Sequence, residues 1–403
     1  MRHAEFLTCS GEFVDEVLAV SMPLGRSYTG LDQVEIFCHG GREVVKIILE
    51  QILSAGARPA QPGEFTKIAF LNGRIDLAEA EAVAEIIAAS TEASYRAGRD
   101  HLIGVYSEYV GKLRNDLIGT LADLEASIDF LEDDVVQINT SELISHVDVI
   151  HSQIIQLAAS YNGGRIVREG FRVAICGRPN AGKSSLFNAI LKHERALVDP
   201  EPGTTRDYLS EWIDLGGFAV NLIDTAGMRE EAGRVEKQGQ TKSQEVMEKA
   251  DMVVWVADVS SPRWYETAKS DIQVVVNSHK LLLGNKIDIL TTSDYGLPAE
   301  VLPVSCISGV GLDQVLETIL HYINDTVPDL TSGHVVTSAR HKHCLELASD
   351  GIDRTKRALE QGESPEILAF ELRQAADQLG EITGQVYTEE ILGEIFSRFC
   401  IGK

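Results

Sequence analysis

The chain has 403 residues, 44% of them hydrophobic and 24% charged, as expected of a folded protein of two to four domains. Its formal net charge of −25 argues against broad non-specific binding to nucleic acid, so an RNA ligand must meet a local basic patch or be held largely by a partner. No run of about 18 apolar residues is present, no signal-peptide core follows Met1, and the six cysteines lack paired spacing; a reduced, cytoplasmic setting with no membrane association is expected.

Residues 1–75 read as an α+β segment. Val34-Glu35-Ile36-Phe37-Cys38 is strand-like and ends at His39-Gly40-Gly41, and Glu43 to Ala55 carries helical periodicity. Pro59, Pro62 and Gly63 then break the chain. No first strand is evident ahead of Val34. Taken as isolated residues, Glu35 and Arg74 are surface charges. Residues 76–165 read as helical, with Leu77, Ala80, Val83, Ala84, Ile87 and Ala88 at helical spacing, followed by Leu113, Leu117, Leu121, Leu124 and Ile128. Glu132-Asp133-Asp134 is expected to be a solvated helix end, and Asn162-Gly163-Gly164 a linker.

Residues 166–328 carry the chemistry. The apolar run Phe171 to Cys176 reads as a buried strand and leads into Gly177-Arg178-Pro179-Asn180-Ala181-Gly182-Lys183-Ser184, the pattern G-x-x-x-x-G-K-S. Ser185 to Leu191 follows as a helix. Strand, glycine loop and helix form a phosphate cradle, in which backbone N–H groups of Asn180, Ala181, Gly182 and Ser185 approach phosphate oxygens. Lys183 reaches the β- and γ-phosphates and the Ser184 hydroxyl sits on Mg²⁺. A second strand, Ala219 to Ile223, ends in Asp224-Thr225-Ala226-Gly227, where a carboxylate can hold Mg²⁺ through water and the glycine N–H can sense a γ-phosphate. A third, Lys280 to Gly284, ends in Asn285-Lys286-Ile287-Asp288; an aspartate there accepts from the paired donors on guanine's edge, which adenine lacks. Val301 to Val304 runs into Ser305-Cys306-Ile307, where GTPases place a loop touching guanine. Each tetrapeptide is weak alone; in series they specify GTP. Met228 occupies the position where many GTPases carry a water-orienting glutamine, and a thioether cannot do that work. Glu230, Glu231, Arg234 and Glu236 are the nearby candidates.

Residues 329–403 turn helical again, so the GTPase segment interrupts a helical domain whose halves should pack together. His341-Lys342-His343-Cys344 lacks partners at ligand spacing and is expected on a helix surface. Cys400 lies four residues from the end, but Gly402 and Lys403 fit a prenylation box poorly.

The loop with Pro179-Asn180, Gly203-Thr204-Thr205-Arg206-Asp207, Asp224-Thr225-Ala226-Gly227-Met228-Arg229 and the ending Cys400-Ile401-Gly402-Lys403 together resemble the MnmE (TrmE) tRNA-modification GTPases. The resemblance covers essentially the whole chain. It implies a multidomain protein: an α+β N-terminal folate-binding and dimerisation domain (1–75, lacking the family's N-terminal part), an all-α helical domain in two parts (76–165 and 329–403), and an inserted α/β Ras-like P-loop GTPase domain (166–328). It also implies Glu236 as catalytic glutamate, and Cys400 as a participant in the modification chemistry. Thr204 and Thr205 join the nucleotide site, with Thr205 completing the Mg²⁺ shell. K⁺ is held by Asn180, Asp199, Glu201 and Thr204, and a 5-formyltetrahydrofolate or related one-carbon folate by Glu35, Arg74 and Lys403. The implied assembly is a homodimer working with the FAD protein MnmG (GidA) on tRNA, adding a carboxymethylaminomethyl-type group at carbon 5 of the wobble uridine. The alternatives are a ribosome-assembly GTPase, which expects an RNA-binding module such as a KH-type Gly-x-x-Gly loop, and a nucleotide-dependent scaffold.

Overall fold

The computed structural model describes every residue except 130–139, 198–208, 226–243, 277–278, 291–295, 400–401 and 403. The chain divides into two compact units, one of Met1–Ala84, His101–Ile150 and Asp350–Lys403, the other of Glu85–Asp100 and His151–Ser349.

The first unit opens with an antiparallel sheet of β1 (Arg2–Leu7), β2 (Phe13–Met22) and β3 (Gln33–Phe37), in that order. Two of these strands precede the one the sequence suggests, so the absence of an earlier strand is corrected. The reason lies in the inward row of β2, where buried Asp15 interrupts the apolar alternation beside Val17. Asp15 is satisfied by His39, whose backbone N–H donates at 2.8 Å and whose ring Nδ1 lies at 2.7 Å. The His39 backbone N–H is the main cause that holds the Asp15 carboxyl below its usual pKa, against a smaller contrary effect of burial. Helices Arg42–Ser54 and Glu64–Leu71 follow.

The helical part of this unit is discontinuous in sequence. Helix Val105–Asp129 packs along helix Pro365–Thr383. Leu113, Leu117 and Leu124 are buried on the former, Leu368, Leu372 and Leu379 on the latter. The leucine spacing of 3.6-residue periodicity therefore predicts the buried stripe correctly. The last helix, Glu389–Ser397, starts at Thr388, whose hydroxyl accepts the Ile391 N–H. Its Leu392, Ile395 and Phe396 join Phe70, Leu77 and Phe399 in one core, so the last helix packs on the N-terminal segment.

The second unit holds a seven-stranded sheet in the order β10-β9-β8-β4-β7-β6-β5. Its strands are β4 (Phe171–Gly177), β5 (Arg195–Ala196), β6 (Leu209–Leu215), β7 (Phe218–Asp224), β8 (Met252–Asp258), β9 (Lys280–Asn285) and β10 (Val301–Val304). β4, β7, β8, β9 and β10 run parallel, and β6 and β5 add an antiparallel edge. The near-continuous apolar runs of β4 and β8 reflect burial on both faces, as parallel strands require.

Two further expectations are corrected in this unit. Asn162-Gly163-Gly164 is no linker but part of the helix Tyr161–Glu169. Both glycines are there because other backbone comes too close for a side chain. A Cβ on Gly163 would meet Pro328 Cδ at 2.2 Å, and one on Gly164 would meet the Val336 carbonyl oxygen at 2.1 Å. His341 to Cys344 does lie on a helix, Ala339–Glu360, but His341 and Cys344 face inward and are buried, and only His343 of the four is exposed. Spacing of three residues placed one stripe inside, which a search for ligand pairs does not detect.

Candidate functional site

In the second unit the carboxyl ends of the parallel strands gather the predicted loops at one edge of the sheet, where ligands of such sheets bind. Gly177 ends β4, Asp224 ends β7, and Asn285 ends β9.

The phosphate loop turns into the helix Lys183–His193 at Gly182, with φ +100°. Only glycine fits, since a Cβ would meet the Asn285 Nδ2 at 2.1 Å. Asn180 also takes a left-handed conformation, φ +63°, and is exposed on the loop. The ammonium of Lys183, on a buried residue, donates to the Arg178 carbonyl at 2.9 Å. That contact keeps a cation satisfied inside the cradle, where phosphate oxygens can replace the carbonyl. Ser184 and Ser185 are exposed in the first turn.

Ser184 Oγ donates to Asp224 Oδ2 at 2.6 Å. The hydroxyl and carboxylate form an all-oxygen pair of the kind Mg²⁺ prefers, so these residues fit that ion. Thr225 is buried, its Oγ1 bonded to the Ile175 carbonyl at 2.9 Å.

Asn285 links the loops. Its Nδ2 donates to the Ala181 carbonyl at 2.9 Å and its Oδ1 accepts the Cys306 N–H at 3.3 Å. One buried amide thus ties the phosphate loop to the Ser305-Cys306-Ile307 loop. Asp288 Oδ1 accepts the Ser305 hydroxyl at 2.5 Å, which aligns the carboxylate. Ile307 is 86% exposed on that loop. Burial pushes the Cys306 thiol up to about 11 and, in the same way, Cys176 under the phosphate loop up to about 11. Neither thiol is a nucleophile at neutral pH.

Asp199, Glu201, Thr204, Thr205, Ala226, Gly227 and Glu236 lie outside the described residues, as do Cys400, Lys403 and the acidic run at 132–134. Among the described residues, no group of three or more His, Cys, Asp or Glu is placed to hold a metal.

Glu35 and Arg74, in the first unit, flank one loop. Glu35 accepts from Gln33 Nε2 at 3.1 Å, Gln33 Oε1 accepts from Thr29 Oγ1 at 3.4 Å, and the Thr29 carbonyl accepts from Asn72 Nδ2 at 2.7 Å. Arg74 Nη1 donates to the Gly25 carbonyl at 3.3 Å. A cavity of about 400 Å³ opens beside Arg74, lined also by Phe70, Asp76, Glu79, Thr383 and Tyr387. Burial raises the Glu79 pKa there. A carboxylate and a guanidinium fit the donor edge of a pterin and the acidic tail of a folate.

Sequence reasoning missed two aspartates on the strand β8 and the helix Trp264–Gln273 after it. Asp271 grips Arg178 of the phosphate loop through two bonds, 2.7 and 3.1 Å, and Asp258 holds Lys286. No motif marks them; the parallel pairing of β8 with β9 brings Asp258 to the loop that begins at Asn285.

A phosphate loop, a hydroxyl–carboxylate pair and an asparagine-tied base loop at the ends of a parallel sheet define a P-loop GTPase, an enzyme that hydrolyses GTP. The family follows from the whole chain. Residues 77–400 match the family described as MnmE helical domain, and residues 1–74 that described as GTP-binding protein TrmE N-terminus. The tRNA modification GTPase MnmE of Akkermansia muciniphila is 41% identical over 98% of this chain and 87% of its own length. That of Aquifex aeolicus is 40% identical over 98% and 88%. The chain belongs to the MnmE family. Among solved structures, the G domain of the T. maritima FeoB iron transporter aligns with 38% of this chain and 98% of its own, at 27% identity and a TM-score of 0.29.

Proposed function

We propose that this chain is the GTP-hydrolysing member of a tRNA-modifying system. It acts on the wobble uridine of certain tRNAs and adds a carboxymethylaminomethyl-type group at carbon 5. The observation that carries the reading is the Asn285 bridge between phosphate loop and base loop, in a chain that aligns over nearly its full length with tRNA modification GTPases. GTP lies with its phosphates on Asn180 to Ser185, its Mg²⁺ side on Ser184, Thr205 and Asp224, and its base against Asn285, Lys286, Asp288 and residues 305–307. Thr204, Thr225, Ala226 and Gly227 border the γ-phosphate.

Hydrolysis is attack of water on the γ-phosphorus with departure of the β-phosphate oxygen. Lys183 offsets charge on the phosphates. Glu236 orients the water, because Met228 has no group to do so. Asn180, with Asp199, Glu201 and Thr204, holds K⁺, which supplies the positive charge an arginine finger gives elsewhere. Two copies of the chain face each other during turnover. The folate lies against Glu35, Arg74 and Lys403, near Cys400, and MnmG is the FAD-bearing partner. The net charge of −25 favours a division of labour in which that partner holds most of the tRNA backbone. The work is done in the cytoplasm.

The test compares initial GTPase rates in KCl and NaCl at matched ionic strength. A strong preference for K⁺ is expected; equal slow rates in both salts overturn the cation-assisted mechanism. Mass analysis of tRNA from cells whose sole copy carries Lys183→Ala is expected to show loss of the wobble modification. An unchanged modification level refutes the tRNA assignment.

A further inference from the structure

Lys286 stands in the guanine loop with a left-handed backbone, φ +71°, a conformation that costs a side-chain-bearing residue energy and needs support from its surroundings. That support comes from the end of β8. The parallel register sets Asp258 opposite Asn285, and the next residue, Val259, donates its N–H to the Asn285 carbonyl at 3.1 Å. Lys286 Nζ then reaches Asp258 Oδ2 at 2.5 Å. The other oxygen of the carboxylate accepts both the N–H and the hydroxyl of Ser260, at 3.0 and 2.6 Å. Ser260 therefore fixes the carboxylate's orientation, and the carboxylate fixes the lysine head. The pair is partly shielded, at 29% and 18% exposure, so solvent does not screen it as it would a surface pair. Burial works against the charged carboxylate, yet the bonds from Lys286 and Ser260 outweigh it and hold the Asp258 pKa below its usual value.

We propose that Asp258 is a positioning residue for guanine-nucleotide binding, holding Lys286 extended so that its alkyl stem walls the base site. It rests on the reading of Asn285 to Asp288 as the guanine loop. A free lysine stem samples many rotamers, and each must be given up when a base packs against it. With the head already bound to Asp258, that ordering is complete before the nucleotide arrives. The stem meets a ring face and not the 2-amino group, so its contribution does not distinguish guanine from hypoxanthine. The bonds of the Asp258 carboxylate run to Lys286 and Ser260 and serve the base side of the site, so affinity responds and turnover does not.

The experiment titrates the full chain with GDP and with inosine diphosphate by calorimetry, and measures kcat at saturating GTP, for wild type, Asp258→Ala, Asp258→Asn and Asp288→Asn. Asp258→Ala is expected to weaken both diphosphates by the same factor, about tenfold, the scale of losing one charged hydrogen bond. KM for GTP rises by that factor and kcat stays within about twofold. Asp258→Asn, which keeps the volume and the Ser260 contacts, weakens binding less, and it decides the matter if the alanine variant fails to fold. Asp288→Asn is expected to weaken GDP more than inosine diphosphate. If Asp288→Asn leaves GDP binding intact, the guanine-loop reading itself fails. If Asp288→Asn weakens GDP while both Asp258 variants bind it within about twofold of wild type, the Asp258 proposal alone is overturned. A fall in kcat at unchanged affinity overturns it too.

Discussion

Single atoms decide what the residues near the nucleotide loops can do. The amide of Asn285 donates to the Ala181 carbonyl and accepts the Cys306 N–H, and so braces the phosphate loop against the Ser305-Cys306-Ile307 loop. Cys306 shows how burial overrides a tempting position. Its thiol sits at the base loop, yet burial raises its pKa from an ordinary 9.0 to about 11. Alkylation of Cys306 is expected to be slow at pH 7.5 and to accelerate only as the pH approaches 11, as peptide mass spectrometry can follow. Rapid labelling at pH 7.5 would contradict the burial seen here. The same shift carries a sign for stability. A pKa raised in the folded state means the unfolded thiol ionises first, so this group's contribution is intact below pH 9 and is lost as pH rises through 9 to 11.

Among the elements, the helix Tyr161–Glu169 is the one least like its sequence signal. Its glycines look like punctuation and act as contact surface, one against Pro328 and Thr326, the other against Val335 and Val336. Gly164→Ala is expected to destabilise the chain by about 1–3 kcal/mol through overpacking. Gly119→Ala, on the helix Val105–Asp129 where an added Cβ meets nothing within 4 Å, should stabilise by about 0.5–1 kcal/mol through helix propensity. Urea denaturation of both variants checks the opposite signs; equal effects would show that propensity alone governs these glycines. The helix Tyr161–Glu169 also anchors Arg165 to Asp251, which accepts the Arg172 N–H at 2.8 Å, so the start of the nucleotide fold is tied to the loop ahead of β8.

For the whole molecule, two compact units and a ligand site confined to one of them predict a divided response to nucleotide. GDP at about 100 times its Kd stabilises the fold that binds it by about 2.7 kcal/mol. Hydrogen exchange is expected to slow across Phe171–Gly177, Met252–Asp258 and Lys280–Asn285 and to stay unchanged in Val105–Asp129 and Pro365–Thr383. Equal slowing in both sets would mean that the units unfold as one. No helix among the described residues is long and apolar enough to cross a membrane.

The sequence by itself determined the chemistry-bearing loops, because the phosphate loop and the Asn285-Lys286-Ile287-Asp288 stretch of a GTPase need particular residues at fixed local spacing. It also determined the strands that carry those loops and the leucine stripes of the long helices, since burial imposes a period that survives in one dimension. Tertiary structure alone decided the rest. β2 is hidden by Asp15, whose burial makes sense only once His39 is beside it. Gly163 and Gly164 read as a break until the backbone of residues 326–336 closes on them. Asp258 meets Lys286, 28 residues on in the chain, only because β8 pairs with β9. Each of these depends on a contact distant in sequence, and such contacts leave no periodic trace.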